Sequence, residues 1–349
     1  MPLGISARSG RCHIRARPIV LSSGSGCASD GKADMIGEET GRMEAMDDRR
    51  VTEFEAERRR LTRLAYRMMG SLTDAEDVVQ DAWLRWVGVE GGIDSPPAYL
   101  TRIVTRLCLD RRRSARARRE TYVGPWLPDP LVGSVEPNET VADDVTVTLM
   151  LALERLSPLE RAAFLLHDVF DVPLTEVAIT LDREPAAVRQ LAARARKHVQ
   201  AARPRFNVAP ADADRITRAF FAAARDGDVA ALSVLLAKNV EIHTDGGGKA
   251  LAFRNVIQGV ERALRLFVGQ RRKDAMPPTL LRVVTIDGLP GYVSLDGGGV
   301  LQTTALDIRE DGIAAIYIVK NPDKLSHVAA EVDVPNASRR YHQPDEPSE

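Results

Sequence analysis

The sequence predicts a multidomain protein in which two all-α units are followed by an α+β unit. Three observations carry that expectation. From Val51 to Val199 apolar residues recur at three- and four-residue steps, broken at Gly70 to Leu72, at Gly88 to Ser95 and at a proline-rich stretch, Gly124 to Leu131. Within Leu156 to Val199, two short helices joined by a three-residue turn have the spacing of a helix-turn-helix. Beyond Pro204 to Pro210 the pattern changes to helices followed by a meander of strands.

The 349 residues, 44% hydrophobic and 5% aromatic, are enough for two or three soluble domains. The net charge of −1 hides a segregation. Tyr99 to Glu120 carries eight arginines against Asp110 and Glu120, whereas Glu136 to Glu160 carries six acids against Arg155. Local charge of this kind points to a nucleic-acid partner for the basic segment. Cys12, Cys27 and Cys108 lack metal-ligand spacing, so no metal and no cofactor are expected, and their odd number fits a reducing cytoplasm. No apolar run approaches the roughly 18 residues of a membrane span. Residues 1–49 mix arginines with Ser22 to Gly26 and show no period, so disorder is expected; Met43 and Met46 are alternative starts.

In the first helical unit, Phe54, Leu61, Leu64, Ala65 and Met68 mark one helix. Thr73 and Glu76 then read as a capping box for the next. That helix sets Asp77, Gln80, Asp81 and Leu84 along one side, with Trp83 and Trp86 beside this stripe as candidate interface anchors. Pro96 and Pro97 open a third helix whose outer side is read as Arg102, Thr105 and Arg106, continuing into Arg111, Arg112 and Arg113. Such a face is either simply solvated or follows a phosphate backbone. The connector GPWLPDPL is stiff, and Trp126, next to Pro128, is expected to dock on a domain.

The helix-turn-helix places Leu174 to Leu181 in its first helix, Asp182 to Glu184 in the turn and Pro185 to Val199 in the second. Val188, Leu191, Ala195 and Val199 face inward. Arg189, Gln190, Ala193, Arg194 and Lys197 then face outward, where Arg and Gln suit base edges and Arg194 and Lys197 suit phosphates. Asp182 takes a turn position often held by glycine, which Asp tolerates better than most residues.

In the third unit, Ile216 to Ala223, Val229 to Leu236 and Val260 to Phe267 read as helices. Val240 to Thr244, Leu280 to Ile286, Tyr292 to Leu295, Val300 to Ile308 and Ile313 to Lys320 read as strands. His243, Asp245, Tyr292 and Asp307 are candidates for a proton-transferring cavity but form no specific constellation, so no enzyme is expected. Lys249 follows three glycines without the spacing of a phosphate loop.

DAEDVVQDAWLRW, SPPAYLTRIVTRLCLDRRRS, LSPLERAAFLLHDVF and LTEVAITLDREPAAVRQLAARAR, in that order, resemble regions two and four of bacterial extracytoplasmic-function sigma factors. The last unit, with DGGGK and NPDKL, resembles the SnoaL-like cone fused to one subgroup of them. The resemblance implies a region 2 helical bundle over 50–122, a Pro/Trp linker over 123–140, region 4 over 141–204, a SnoaL-like α+β domain over 208–330 and a disordered tail over 331–349. It implies that Asp77, Gln80, Asp81 and Leu84 dock on the clamp coiled coil of the largest subunit of core RNA polymerase. Arg102, Thr105, Arg106, Arg111, Arg112 and Arg113 would read the minus-10 element, and the helix-turn-helix residues would read the minus-35 element of promoter DNA. Trp126 and Pro128 would meet Asp245, Gly246, Gly247, Gly248 and Lys249 and also Asn321, Pro322, Asp323, Lys324 and Leu325 in a regulatory contact, with a small ligand in the cone as a further partner and no membrane. Competing readings are a polymerase-independent, ligand-sensing operator-binding protein and a cyclase-like enzyme carrying DNA modules.

Overall fold

The computed structural model describes the backbone of residues 30–89, 91–120, 122–133, 147–200, 208–273 and 276–332, and their side chains apart from 30–47 and 113–120. The expected extension up to residue 29, the Arg113 side chain, part of the linker and the tail from residue 333 lie outside the described residues.

Three long helices build the first unit: α1 (Asp30–Met69), α2 (Leu72–Val87) and α3 (Pro96–Glu120). Residues 30–49, expected to be disordered, are thus helical in part. No proline interrupts them, and extending an existing helix costs far less than starting one. The expected cap of α2 is displaced by two residues. Gly70 takes φ 73°, Ser71 is extended, and the Ser71 hydroxyl accepts the Asp74 N–H at 3.3 Å, so Leu72 and not a later residue begins the helix. Trp86 is buried and its indole N–H donates to Arg50 O at 3.0 Å, while Trp83 packs on Phe54. Both tryptophans therefore serve the core rather than an outer interface.

The second unit comprises α4 (Val147–Glu154), α5 (Pro158–Phe164), a π-helical turn (Leu165–Val169), α6 (Leu174–Leu181) and α7 (Pro185–Gln200). Asp182 closes α6 at φ 53°, ψ 56°, the left-handed conformation its place in the turn requires. Val188, Ala192, Ala195 and Val199 are buried. One continuous apolar cluster joins Phe54, Leu64, Val104 and Cys108 of the first unit to Leu153, Phe164, Ala178 and Val188 of the second. At this junction Arg161 of α5 is fully buried; its Nε donates to Arg67 O of α1 at 2.7 Å, and Glu154 pairs with its guanidinium.

The third unit begins with α8 (Pro210–Asp226) and α9 (Val229–Leu235) and contains α10 (Val260–Lys273). Its strands are β2 (Leu236–Asp245), β3 (Ile257–Gln258), β4 (Thr279–Ile286), β5 (Leu289–Leu295), β6 (Leu301–Arg309) and β7 (Gly312–Val319), and α11 (Pro322–Glu331) follows. The sheet has the order β1-β4-β5-β6-β7-β2-β3, with only β2 and β7 parallel, and its first strand, β1 (Val132–Gly133), comes from the linker. One face packs Leu306, Ile308 and Ile316 against Phe220, Phe221 and Phe267 of the helices. The other face, carrying Val293, Ala315, Tyr317 and Val319, is covered by Leu127 of the linker, Val147 of α4 and Leu325 and Val328 of α11. Both faces are therefore dry, and two of the covering residues lie outside the cone itself.

The displaced cap is directly testable. Ser71→Ala should lower the stability of the full chain by about 1 kcal/mol, while Thr73→Ala stays within about 0.5 kcal/mol of the parent, as read from thermal melts.

Candidate functional site

Asp245 ends β2 with its side chain fully buried. A carboxylate there must be hydrogen-bonded, and four donors surround it. They are Tyr122 OH at 2.5 Å, Leu127 N–H at 2.9 Å, Gly247 N–H at 3.0 Å and Lys324 Nζ at 2.9 Å. Lys324 also donates to Leu127 O, and its ammonium lies 4.3 Å from the Trp126 ring centroid and 5.1 Å from that of Tyr122. Asn321 caps α11 and donates to Tyr122 OH at 2.8 Å. Burial, then the charge of Asp245, pushes the Tyr122 hydroxyl well above the ordinary tyrosine range, so it stays a donor. Lys249 pairs with Asp323 at 2.6 Å on the surface.

The glycines have steric roles. A Cβ on Gly247, at φ 61°, would sit 2.3 Å from the Asn321 side chain, and one on Gly246 would strike Ala250 O at 2.1 Å. Pro128 and Leu325 are buried, and Pro322 opens α11. The DGGGK and NPDKL residues and the Pro/Trp linker thus form a single cluster. Tyr122, placed just after the arginine-rich helix, had no motif to mark it.

A second cluster ties the linker to α1. Tyr66 OH donates to Asp129 O at 2.8 Å and to Asp287 Oδ1 at 3.2 Å, and Leu72 N–H, at the start of α2, donates to the Asp129 carboxylate at 2.8 Å. Asp287 N–H donates to Leu131 O at 2.9 Å. His327 donates to Pro130 O at 2.7 Å, and Thr148 of α4 lies 3.3 Å from Tyr317 OH. Sequence reading missed Tyr66, Asp129 and Asp287, whose partners are 63 to 221 residues distant.

The expected nucleic-acid faces fare differently. Arg189, Gln190, Ala193, Arg194 and Lys197 are all exposed on one side of α7, and Arg194 is paired with Glu160 at 3.0 Å. On α3, Arg106 is exposed and Arg102 is half-buried, but Thr105 is fully buried and Arg112 donates to Met68 O at 2.6 Å from a buried position. Thr105 and Arg112 therefore do not belong to an outer face. Their positions along α3 turn them toward α1 and the second unit, where the shared core forms. Arg111 bridges to Asp81 at 2.5 Å and to Asp77 at 3.5 Å, so two of the expected polymerase-docking acids hold one of the expected minus-10 arginines. Gln80 and Leu84 are exposed beside them, Leu84 by 62%.

The cone offers no shared proton-transfer site. Tyr292 faces the helices in a cavity of about 60 Å³, whereas His243, stacked on Tyr317, and Asp307, paired with Arg309 at 2.7 Å, lie on the opposite sheet face. Asp245 is committed to the linker. Among the described residues, no helix is long and apolar enough to cross a membrane.

The chain matches the sigma-70 region 2 family over residues 54–118 and the sigma-70 region 4 family over residues 146–199. It is 39% identical over 293 residues to the ECF RNA polymerase sigma factor SigJ of Mycobacterium tuberculosis (strain ATCC 25618 / H37Rv), covering 79% of this chain and 93% of that one. With the probable ECF RNA polymerase sigma factor SigI of Mycobacterium tuberculosis (strain CDC 1551 / Oshkosh) it shares 33% identity over 285 residues, 80% of this chain and 96% of the relative. The crystal structure of Mycobacterium tuberculosis SigJ aligns with a TM-score of 0.63 at 34% identity, covering 79% of this chain and 98% of that one. The C-terminal fold is consistent with a SnoaL-like domain.

Burial lifts the Asp287 carboxyl to about 8, against the lowering effect of the Leu131 and Tyr66 hydrogen bonds and with a further rise from Asp129, whose own value burial also raises. Tyr66, Asp129, Lys324, His327 and Arg161 are the other titratable or charged groups around this pair. An unfolded Asp ionises near 4, so between about pH 4 and pH 8 the folded state holds the extra proton. Asp287 thus favours folding most at low pH and loses that contribution as pH rises toward 8, at up to about 1.4 kcal/mol per pH unit. Asp287→Asn should flatten the fall in melting temperature between pH 6 and pH 9; an unchanged slope would remove Asp287 as its source.

Proposed function

The chain belongs to the extracytoplasmic-function sigma-70 family, and on that premise we propose how its surfaces divide the work of transcription initiation. It is a promoter-directing sigma factor acting with core RNA polymerase. Arg189, Gln190, Ala193, Arg194 and Lys197 read the minus-35 element as duplex, with Arg189 and Gln190 at base edges and Lys197 at phosphate. Arg102, Arg106 and Arg111 serve the minus-10 element. Asp77, Gln80, Asp81 and Leu84 dock on the clamp coiled coil of the polymerase.

The observation that carries the regulatory part is the burial of Asp245 under the linker and Lys324. The described arrangement is a closed form. A compact unit of about 300 residues has a radius of gyration of about 19 Å. Elements named for positions about 25 base pairs apart are separated by roughly 85 Å of duplex. Regions 2 and 4 sharing one apolar core cannot occupy both, so reading the promoter requires that core to open. By fixing the linker and covering α4 with its sheet, the C-terminal domain biases the equilibrium toward closure. The domain acts on the sigma factor as a built-in modulator and not as an enzyme.

Transcription with purified core polymerase tests this. Proteins truncated after Arg205 and after Asn321 should differ from the full chain in promoter-specific transcription, because only the full chain keeps Lys324 on Asp245; equal activity of all three would remove the modulating role. Arg189→Ala should weaken binding in a manner that depends on the minus-35 sequence, by about 1–3 kcal/mol at the preferred base, whereas Lys197→Ala should weaken it on every sequence and lower the salt slope by about 1. Identical behaviour of the two variants across promoter mutants would refute the assignment of the face.

A further inference from the structure

Where α1, the linker strand and the β4–β5 turn meet, the protein encloses a cavity of about 380 Å³, within the usual range of roughly 300–1,000 Å³ for small-molecule sites. Arg59, Arg63 and Arg67 line its α1 side at four-residue steps, so they share one face of the helix. Tyr66 and the linker strand residue Gly133 contribute to its wall. On the cone side stands Asp287, held at φ 44° in the hairpin turn, almost wholly buried, with Oδ2 lacking any hydrogen-bond partner. Leaving such an atom unpaired is costly, and a native protein does so where something else is meant to fill it.

We propose that this junction cavity binds a small phosphorylated anion, held by the Arg59–Arg63–Arg67 stripe and by a hydrogen bond from Asp287. The eight residues from Arg59 to Arg67 span about 12 Å of helix, longer than one carboxylate and suited to two or more linked phosphates. Planar guanidinium groups match phosphate oxygens bidentately, and like charges at four-residue spacing cost the bare helix a few tenths of a kcal/mol per pair, which an anion reverses. Near neutral pH the Asp287 carboxyl is in its protonated form, so Oδ2 is a donor toward phosphate and does not repel it. The arginines also have contacts within the protein, including Arg67 over the Phe170 ring at 5.3 Å, so the anion exchanges with existing partners. Because the walls come from region 2, the linker and the C-terminal domain, the anion binds the closed form better than the open one. The site rests on its own geometry; its use in regulation rests on the modulating role proposed above.

Inorganic pyrophosphate, titrated into the full chain by calorimetry at constant ionic strength with sulfate as the screening control, tests the site. Saturable one-to-one binding is expected, weakened at least about tenfold in the Arg59→Gln/Arg63→Gln double variant and kept within about threefold by Asp287→Asn, which retains a donor. No saturation up to about 10 mM, or equal binding by the double variant, overturns the proposal. Binding that emerges only when Glu136, Glu139, Asp143 and Asp144 are changed to amides would assign the cavity to the chain's own acidic stretch and overturn it as well. Hydrogen exchange at the Leu127 and Asp129 amides separates the two layers of the argument. Slowing on addition of pyrophosphate supports coupling to closure, whereas binding without slowing leaves the site in place and overturns its coupling.

Discussion

A carboxylate cannot be left bare in an apolar interior, and the way Asp245 is satisfied decides how the three units of this protein sit together. Its four donors come from the linker, from its own glycine loop and from the helix that ends the cone. Removing any one of them leaves a buried charge short of a partner, a change that typically costs about 3–5 kcal/mol when the partner is the ion-pair cation. The linker is therefore not a tether of fixed stiffness. Its backbone is an integral ligand of the cone, and Val132 and Gly133 extend the cone's sheet.

The second constraint is the apolar outer face of that sheet. A sheet with Val293, Ala315, Tyr317 and Val319 on one side needs a cover, and α11 supplies only part of one. Leu127 and Val147 supply more, which draws the first helix of region 4 onto the cone. On the far side of the same region, Arg161 reaches across the shared core to Arg67 O. Closure is thus maintained from two directions by different physics: apolar area against the cone, and buried hydrogen bonds against α1. A sigma factor so built must exchange internal contacts for external ones when it meets polymerase and promoter. The pairing of Arg111 with Asp81 and Asp77 shows the same economy on a smaller scale, since docking acids and a DNA arginine neutralise each other.

Much of the fold was legible in the chain itself. The periodicity of apolar residues marked the helices of both sigma regions, Pro185 and Asp182 marked the limits of the helix-turn-helix, and the exposed face of α7 followed from 3.6-residue geometry. Where reading failed, it failed at places where local rules compete with distant partners. Ser71 displaced Thr73 as a cap because Gly70 turns the chain early and the Asp129 carboxylate, 57 residues downstream, accepts the Leu72 N–H. Thr105 and Arg112 looked polar and external, yet a helix packed on two neighbours has little outer face left.

The sequence by itself determined the identity of the elements, their order and the residue types offered to DNA and polymerase, because those depend on short-range periodicity and capping. Only the tertiary structure decided what the DGGGK and NPDKL segments touch, that the linker becomes a strand, and that regions 2 and 4 share one core. Those outcomes depend on pairings such as Tyr66 with Asp287, 221 residues apart, which no local period encodes. The physical reason is that burial has no fixed sequence spacing: a lone carboxylate or a bare sheet face specifies that it must be covered, and the folded chain alone specifies by what.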